Sequence, residues 1–221
     1  MFTSPAKLSR AVWGFIIGDA LGVPAEFCSR AELQRSPITD MTGYGTHSQP
    51  PGTWSDDSSM MLCTLENIRE GGSMETLANK FLAWYRDAYM TPHGEVFDIG
   101  ITTRAALMKL QAGIPHTASG VSEERVACGN GTLMRVLPFA FSTAYAARDS
   151  AARFAMVSAA GAITHAHALP HLCSYFYAEL LHQLSNDLPA ADALAITRQT
   201  VASIIAAMPG TAAPAMSLSL L

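Results

Sequence analysis

The chain has 221 residues, of which 49 % are apolar and only 14 % charged. That balance describes a globular protein with one sizeable core and excludes a disordered or nucleic-acid-coating chain. The net charge of −4, without a basic run, argues against a polyanion as main partner, though backbone amides and one or two Arg can still hold a small anion.

Cys28, Cys63, Cys128 and Cys173 are widely spaced, with no C-x-x-C pair, and are expected as reduced thiols in a cytoplasmic protein. Asp19 interrupts the apolar stretch from Val12 to Leu21, and no span of about 18 apolar residues exists, so neither a signal peptide nor a membrane helix is expected. Ser4-Pro5 reads as a helix start, with Leu8, Val12, Phe15 and Ile16 at helical spacing up to Gly22, a C-terminal glycine before Pro24. From Ala31 to Thr53 the chain is rich in Gly, Pro, Ser and Thr and predicts a long functional loop, with one helical turn near Glu32 to Arg35.

A second helix is predicted from Asp56 to Gly71-Gly72, and a third from Ser73 with Leu77, Phe81, Trp84, Tyr85 and Ala88 on one face. Ile99 to Ala112 fits a fourth, closed by Gly113. Gly129 to Tyr145 is a glycine-rich turn running into apolar residues, and Ser150 to Ile163 is an Ala-rich helix. Two further helices, Pro170 to Leu184 and Pro189 to Met208, each open on a proline. No stretch alternates with period 2 for long, so the expected fold is all-α, a compact single-domain bundle of short helices with functional loops at its ends.

The stretch most in need of explanation is Thr53-Trp54-Ser55-Asp56-Asp57-Ser58-Ser59. A helix N-terminus favours one carboxylate, through its unpaired N–H groups and positive dipole end. A second adjacent carboxylate adds repulsion that a buried site tolerates only with a cation or a proton. Carboxylates with hydroxyls form the ligand set of a hard divalent ion such as Mg²⁺. The local sequence leaves the plainer reading open, in which Ser55 or Asp56 caps the helix and the other Asp faces water.

Two more stretches carry candidate chemistry. Asp19 lies on or beside the apolar face of the first helix, an expensive place for an unpartnered charge, and Glu26 follows the Gly22–Pro24 turn. Gly129-Asn130-Gly131 consists of residues that adopt positive φ readily, so it can present successive N–H groups as an anion-binding nest, with Arg135 about one turn beyond. His165, His167 and His171 do not read as a zinc site, because i, i+2 histidines diverge on a helix and Pro170 disrupts the i, i+4 pair. Trp54 could stack on a base or simply pack.

Taken together, these stretches resemble the ADP-ribosylglycohydrolase family. The match rests on Gly18-Asp19-Ala20-Leu21-Gly22-x-Pro24-x-Glu26-Phe27, Trp54-Ser55-Asp56-Asp57-Ser58, Phe97-Asp98-Ile99-Gly100, Gly129-Asn130-Gly131-x-x-Met134-Arg135-x-x-Pro138 and Thr164-His165, in order. The resemblance implies an all-α hydrolase with a binuclear Mg²⁺ or Mn²⁺ centre that releases ADP-ribose from protein side chains or small conjugates. By position it makes Ser55, Asp56 and Asp57 metal ligands, and Glu26 and Asp98 candidate acids for activating water. It makes Gly129, Asn130, Gly131 and Thr132 the lining of the ADP-ribose site, with His165 near the diphosphate or distal ribose and Arg135 bracing the loop. Such a cleavage builds oxocarbenium character at the ribose, and a carboxylate within reach takes the proton of the attacking water.

The family's last metal motif, Asp-x-Asp-Ser/Thr, is absent: after Asp192 there is no acidic residue, and residues 208–221 form an atypical tail. The expectation is a single domain over 1–221, shortened at its C-terminus, with one metal position lost or weakened. Two functions stay open, a hydrolase retaining activity or a catalytically impaired relative that binds ADP-ribose, an ADP-ribosylated protein or an ADP-ribosyltransferase. Uncovered apolar surface would favour self-association.

Overall fold

The computed structural model describes residues 1–208, apart from the side chains at 124 and 125; the atypical tail from residue 209 lies outside the described residues. The chain is all-α. Its longer helices are α1 (Pro5–Gly22), α3 (Asp56–Glu70), α4 (Met74–Asp87), α5 (Ile101–Gln111), α9 (Ser150–Ala162), α10 (Ala168–Ser185) and α11 (Ala190–Ala207). Short helices α2 (Arg30–Arg35), α6 (Glu124–Ala127), α7 (Leu137–Ala140) and α8 (Thr143–Ala146) join them, with 3₁₀ turns at Val23–Ala25, Gly45–His47 and Asn130–Arg135. The described residues contain only isolated β-bridges, and no helix among them is long and apolar enough to cross a membrane.

Helix α3 sits between two hydrophobic clusters, which explains its apolar sequence on more than one face. Met60 and Cys63 enter the larger cluster with Phe81, Trp84, Leu107, Tyr145 and Tyr175, while Met61 joins Leu8, Val12, Leu137 and Phe141 in the smaller one. Each such buried side chain contributes about 1.5–3 kcal/mol, so the register of α3, and hence the placement of its N-terminus, is strongly fixed. Behind it, the buried Glu179 carboxylate accepts hydrogen bonds from Tyr145 Oη (2.9 Å), Arg153 Nη1 (3.0 Å) and Gln183 Nε2 (2.7 Å), tying α8, α9 and α10 together.

Several helix ends differ from the sequence expectation. Gly22 keeps a right-handed conformation (φ −74°), and the chain tightens into the 3₁₀ turn Val23–Ala25 instead of stopping there. Ala88 is not a face residue of α4 but its left-handed cap, at φ +53°. Helix α10 starts at Ala168, ahead of Pro170, because a proline in the first turn has no intrahelical N–H to lose. The predicted loop holds the Gly45–His47 turn and most of α2, which opens on a capping box between Ser29 and Glu32.

Candidate active site

Helix α3 begins with Ser55 as its N-cap: Oγ accepts from Asp57 N at 3.2 Å and donates to Asp19 Oδ1 at 2.8 Å. Asp19 is therefore not an unpartnered charge on α1. Its carboxylate also accepts from the backbone N–H of Ser55 (3.0 Å) and of Ser58 (3.0 Å), serving as a second cap delivered from another helix. Asp56 is buried and Asp57 half-buried, so neither carboxylate of the pair simply faces water. The Ser55 hydroxyl has one lone pair left after its two hydrogen bonds, enough to act as a ligand while capping.

Asp19, Glu26, Asp56, Asp57 and Asp98 all line one cavity of about 750 Å³, whose lining contains no Lys or Arg among the described residues. Burial first, then repulsion from Asp57, Asp98, Asp19 and Glu26, pushes the Asp56 carboxyl up to about 9. Burial with the charges of Asp19 and Glu26 pushes Asp57 up to about 6. Asp98 rises to about 7 through burial, a hydrogen bond with Glu26 and the Glu26 charge, against the pull of His47. Such a cluster of hard oxygen donors holds protons for want of positive charge, and a divalent cation is the natural replacement for them. The residues therefore fit a hard metal ion at the α3 N-terminus.

Glu26 and Asp98 meet in the same cavity, hydrogen-bonded to one another. His47 joins them, with Nε2 2.6 Å from Glu26 Oε2 and 3.7 Å from Asp98 Oδ1. One ligand atom from each of the three lies within 4.8 Å of the others, a second set of possible metal donors. Asp98 holds a left-handed backbone at φ +55°, a conformation that Asp tolerates better than most residues. Exposed apolar side chains, Phe27 and Ile101, each 80 % exposed, flank the mouth.

Gly129, Asn130, Gly131 and His165 form another part of the cavity wall. The positive-φ nest expected here is not formed: Gly129 has φ −69° and caps the 3₁₀ helix Asn130–Arg135, and none of the three residues has positive φ. The glycines serve close approach instead. A Cβ on Gly131 would stand 2.8 Å from His165 Cε1 and 3.0 Å from Thr103 Oγ1. Thr132 is not part of the wall; it is fully buried, its hydroxyl donating to Pro170 O at 3.2 Å and pairing with Ser174 Oγ at 2.7 Å.

His165 is oriented from behind. Buried Arg135 donates through Nη2 to Ala160 O (3.1 Å), Gly161 O (3.3 Å) and Thr164 Oγ1 (2.7 Å), and lies 4.7 Å from the Phe81 ring centroid. The Thr164 hydroxyl, accepting from Arg135, has its own hydrogen free for His165 Nδ1 at 2.8 Å. A His165 whose Nδ1 accepts carries its proton on Nε2, the edge that faces the glycines. Burial, then the Arg135 and His171 charges, brings His165 down to about 3, so the ring is a neutral donor at neutral pH.

The remaining candidates fall away from the cavity. Trp54 Nε1 donates to Met90 O at 3.2 Å, a packing role. His167 caps α10 by accepting from Leu169 N at 3.2 Å, and His171 Nε2 bonds His165 O at 2.6 Å. The sequence marked Asp19 and Phe27 as motif residues without giving either a place in the site, and did not mark His47 or Thr103. The apolar setting of Asp19 was a usable signal, whereas an isolated histidine in a loop gives none.

The ADP-ribosylglycohydrolase family model matches residues 4–218. The chain is 38 % identical over 136 residues to the ADP-ribosylarginine hydrolase Tri1 of Serratia proteamaculans (strain 568), covering 60 % of this chain and 35 % of that protein. It is 28 % identical over 189 residues to the ADP-ribosyl-[dinitrogen reductase] glycohydrolase of Rhodospirillum rubrum, covering 82 % and 60 % respectively. A solved structure titled ADP-ribosylglycohydrolase-related protein complex superposes with a TM-score of 0.68 at 27 % identity, over 87 % of this chain and 60 % of that one. The chain thus spans between about a third and three-fifths of the length of these curated relatives. With the family model covering nearly its whole length and the fold agreeing, the chain belongs to the ADP-ribosylglycohydrolase family.

Proposed function

We propose that this protein is a metal-dependent hydrolase that removes ADP-ribose from modified protein side chains or small ADP-ribose conjugates. The observation that carries the reading is the convergence of five carboxylates on one cavity whose lining also holds a glycine strip and a neutral His165 donor. A cavity of about 750 Å³ is within the range of small-molecule sites. Asp56, Asp57 and Ser55 would hold the cation, Mg²⁺ or Mn²⁺. Once bound, it supplies Lewis-acid chemistry, offsetting negative charge and orienting sugar hydroxyls.

The chain's own residues divide the rest of the work. Gly129 and Gly131 allow the ligand backbone-close approach, and Asn130 with the Nε2–H of His165 offers hydrogen bonds to diphosphate or ribose oxygens. As water bonds to ribose C1″ and the bond from C1″ to the side-chain nitrogen or oxygen breaks, Asp98 or Glu26 accepts the water's proton and the leaving atom is protonated from solvent or from the other acid. Asp98, raised to about 7, is the better matched to proton exchange at neutral pH. The likeness to a protein named for ADP-ribosylarginine makes the arginine linkage the first to test.

The test is release of free ADP-ribose from a mono-ADP-ribosylated protein by this chain with Mg²⁺ or Mn²⁺, alongside calorimetric binding of ADP-ribose. Turnover supports the hydrolase. Binding without turnover replaces it with the impaired, ADP-ribose-binding reading.

A further inference from the structure

We propose that His47 is a positioning residue of this site, its imidazole fixing the Glu26 carboxylate beside Asp98. The inference rests on the hydrolase reading and extends it to a residue outside the family motifs described above.

Three consecutive residues of the Gly45–His47 turn grip the segment that carries Glu26. Gly45, at φ +56°, lies so close to Pro24 that a Cβ would stand 2.1 Å from the Pro24 carbonyl oxygen. Thr46 Oγ1 donates to the backbone carbonyl of Glu26 at 2.5 Å. His47 Nε2 then reaches the Glu26 side chain at 2.6 Å. The turn thus holds Glu26 by both its backbone and its carboxylate, and only glycine fits at the point of contact.

The ring itself has little freedom. It lies between Phe27 and Phe97, with centroids 6.1 and 5.3 Å away, and its side chain is only 14 % exposed. Phe97 and Asp98 are adjacent, so the contact that locates the imidazole also locates the second acid. An ionised carboxylate can only accept, so the His47–Glu26 bond requires a proton on Nε2. Asp98 Oδ1 lies 3.7 Å from the same Nε2, so the imidazole stands beside both members of the hydrogen-bonded Glu26–Asp98 pair. A loop distant in sequence therefore decides where the two candidate proton acceptors sit.

A purely structural histidine would tether the loop and nothing more. His47→Phe keeps the ring between its aromatic neighbours and removes the donor; His47→Gln keeps an N–H donor without the ring. Metal-loaded protein is assayed for ADP-ribose release with each variant, together with its Tm. The expected result is a kcat loss of about tenfold or more for His47→Phe, with KM within about twofold. His47→Gln is expected to recover most of that loss, to within about threefold of wild type. Unchanged kcat in His47→Phe overturns the proposal, as does an equal loss in both variants accompanied by a matching fall in Tm. An active wild type with indifferent variants overturns this inference alone; an inert wild type overturns the hydrolase reading and this one with it.

Discussion

The carboxylate of Asp19 accepts both the backbone N–H of Ser55, at 3.0 Å, and its hydroxyl, at 2.8 Å. A residue near the end of α1 thereby anchors the first residue of the Ser55-Asp56-Asp57 triplet. Asp19→Ala leaves the Ser55 and Ser58 N–H groups without their acceptor in a half-buried setting. Urea unfolding in saturating divalent cation should show a loss of about 2 kcal/mol, with reduced turnover because the α3 N-terminus is no longer pinned. Cation is included because removing Asp19 also relieves repulsion at Asp57, which would mask the loss in metal-free protein.

The raised carboxyls give a stability profile with a definite sign. Asp56 moves from 3.8 to about 9 and Asp98 to about 7, so above about pH 7, where the buried His165, His171 and His182 are largely neutral in both states, the folded chain binds more protons than the unfolded one. Stability of chelated protein therefore falls as pH rises from about 7 to about 9. Scanning calorimetry in EDTA should show Tm dropping over that window, and Mn²⁺ or Mg²⁺ should restore more stability at pH 8 than at pH 5. Asp56→Asn should flatten the slope and raise Tm in EDTA at pH 8 while abolishing turnover. A chelated protein whose Tm rises from pH 7 to pH 9 would contradict the charge argument.

Close approach, not backbone conformation, is what Gly131 supplies. Gly131→Ala forces a methyl to 2.8 Å from an imidazole that Thr164 holds in place, and should cost about 1–3 kcal/mol and raise KM. At Gly129 the corresponding distance to His165 Nε2 is 3.6 Å, ordinary contact, so Gly129→Ala serves as the tolerated control in the same unfolding measurement.

The Arg135–Thr164–His165 chain predicts a tautomer effect. Thr164→Val is nearly isosteric but removes the hydroxyl that donates to His165 Nδ1. Calorimetric affinity for ADP-ribose should fall about five- to tenfold, equivalent to one hydrogen bond of about 1–1.5 kcal/mol. An unchanged affinity would mean that the Nε2 edge of His165 does not contact the ligand.

What the sequence made legible was local. Helices α3 and α4 were readable because Asp56, Ser73 and the Gly71-Gly72 pair mark their ends and the apolar spacing is long. Asp19 was readable as a charge needing a partner, although the partner lies 36 residues away. His47 was not, because the docking of one turn on another makes its bond to Glu26, 21 residues distant, and no periodicity encodes that. Thr132 followed the motif spacing into the expected wall, but the 3₁₀ winding of Asn130–Arg135 turns its hydroxyl toward α10. The same winding replaced the expected positive-φ nest. Pro170 misplaced a helix start because a proline marks the first turn rather than the first residue.

The measurement that bears most directly on the central claim is ADP-ribose release from an arginine-ADP-ribosylated protein, after chelation and stepwise return of Mn²⁺ or Mg²⁺, for wild type and Asp57→Asn. The account predicts no release in chelator, recovery that saturates with added cation in wild type, and none in Asp57→Asn at the same concentrations. Release that persists in chelator, or that Asp57→Asn retains in full, would contradict a metal-dependent centre at the start of α3.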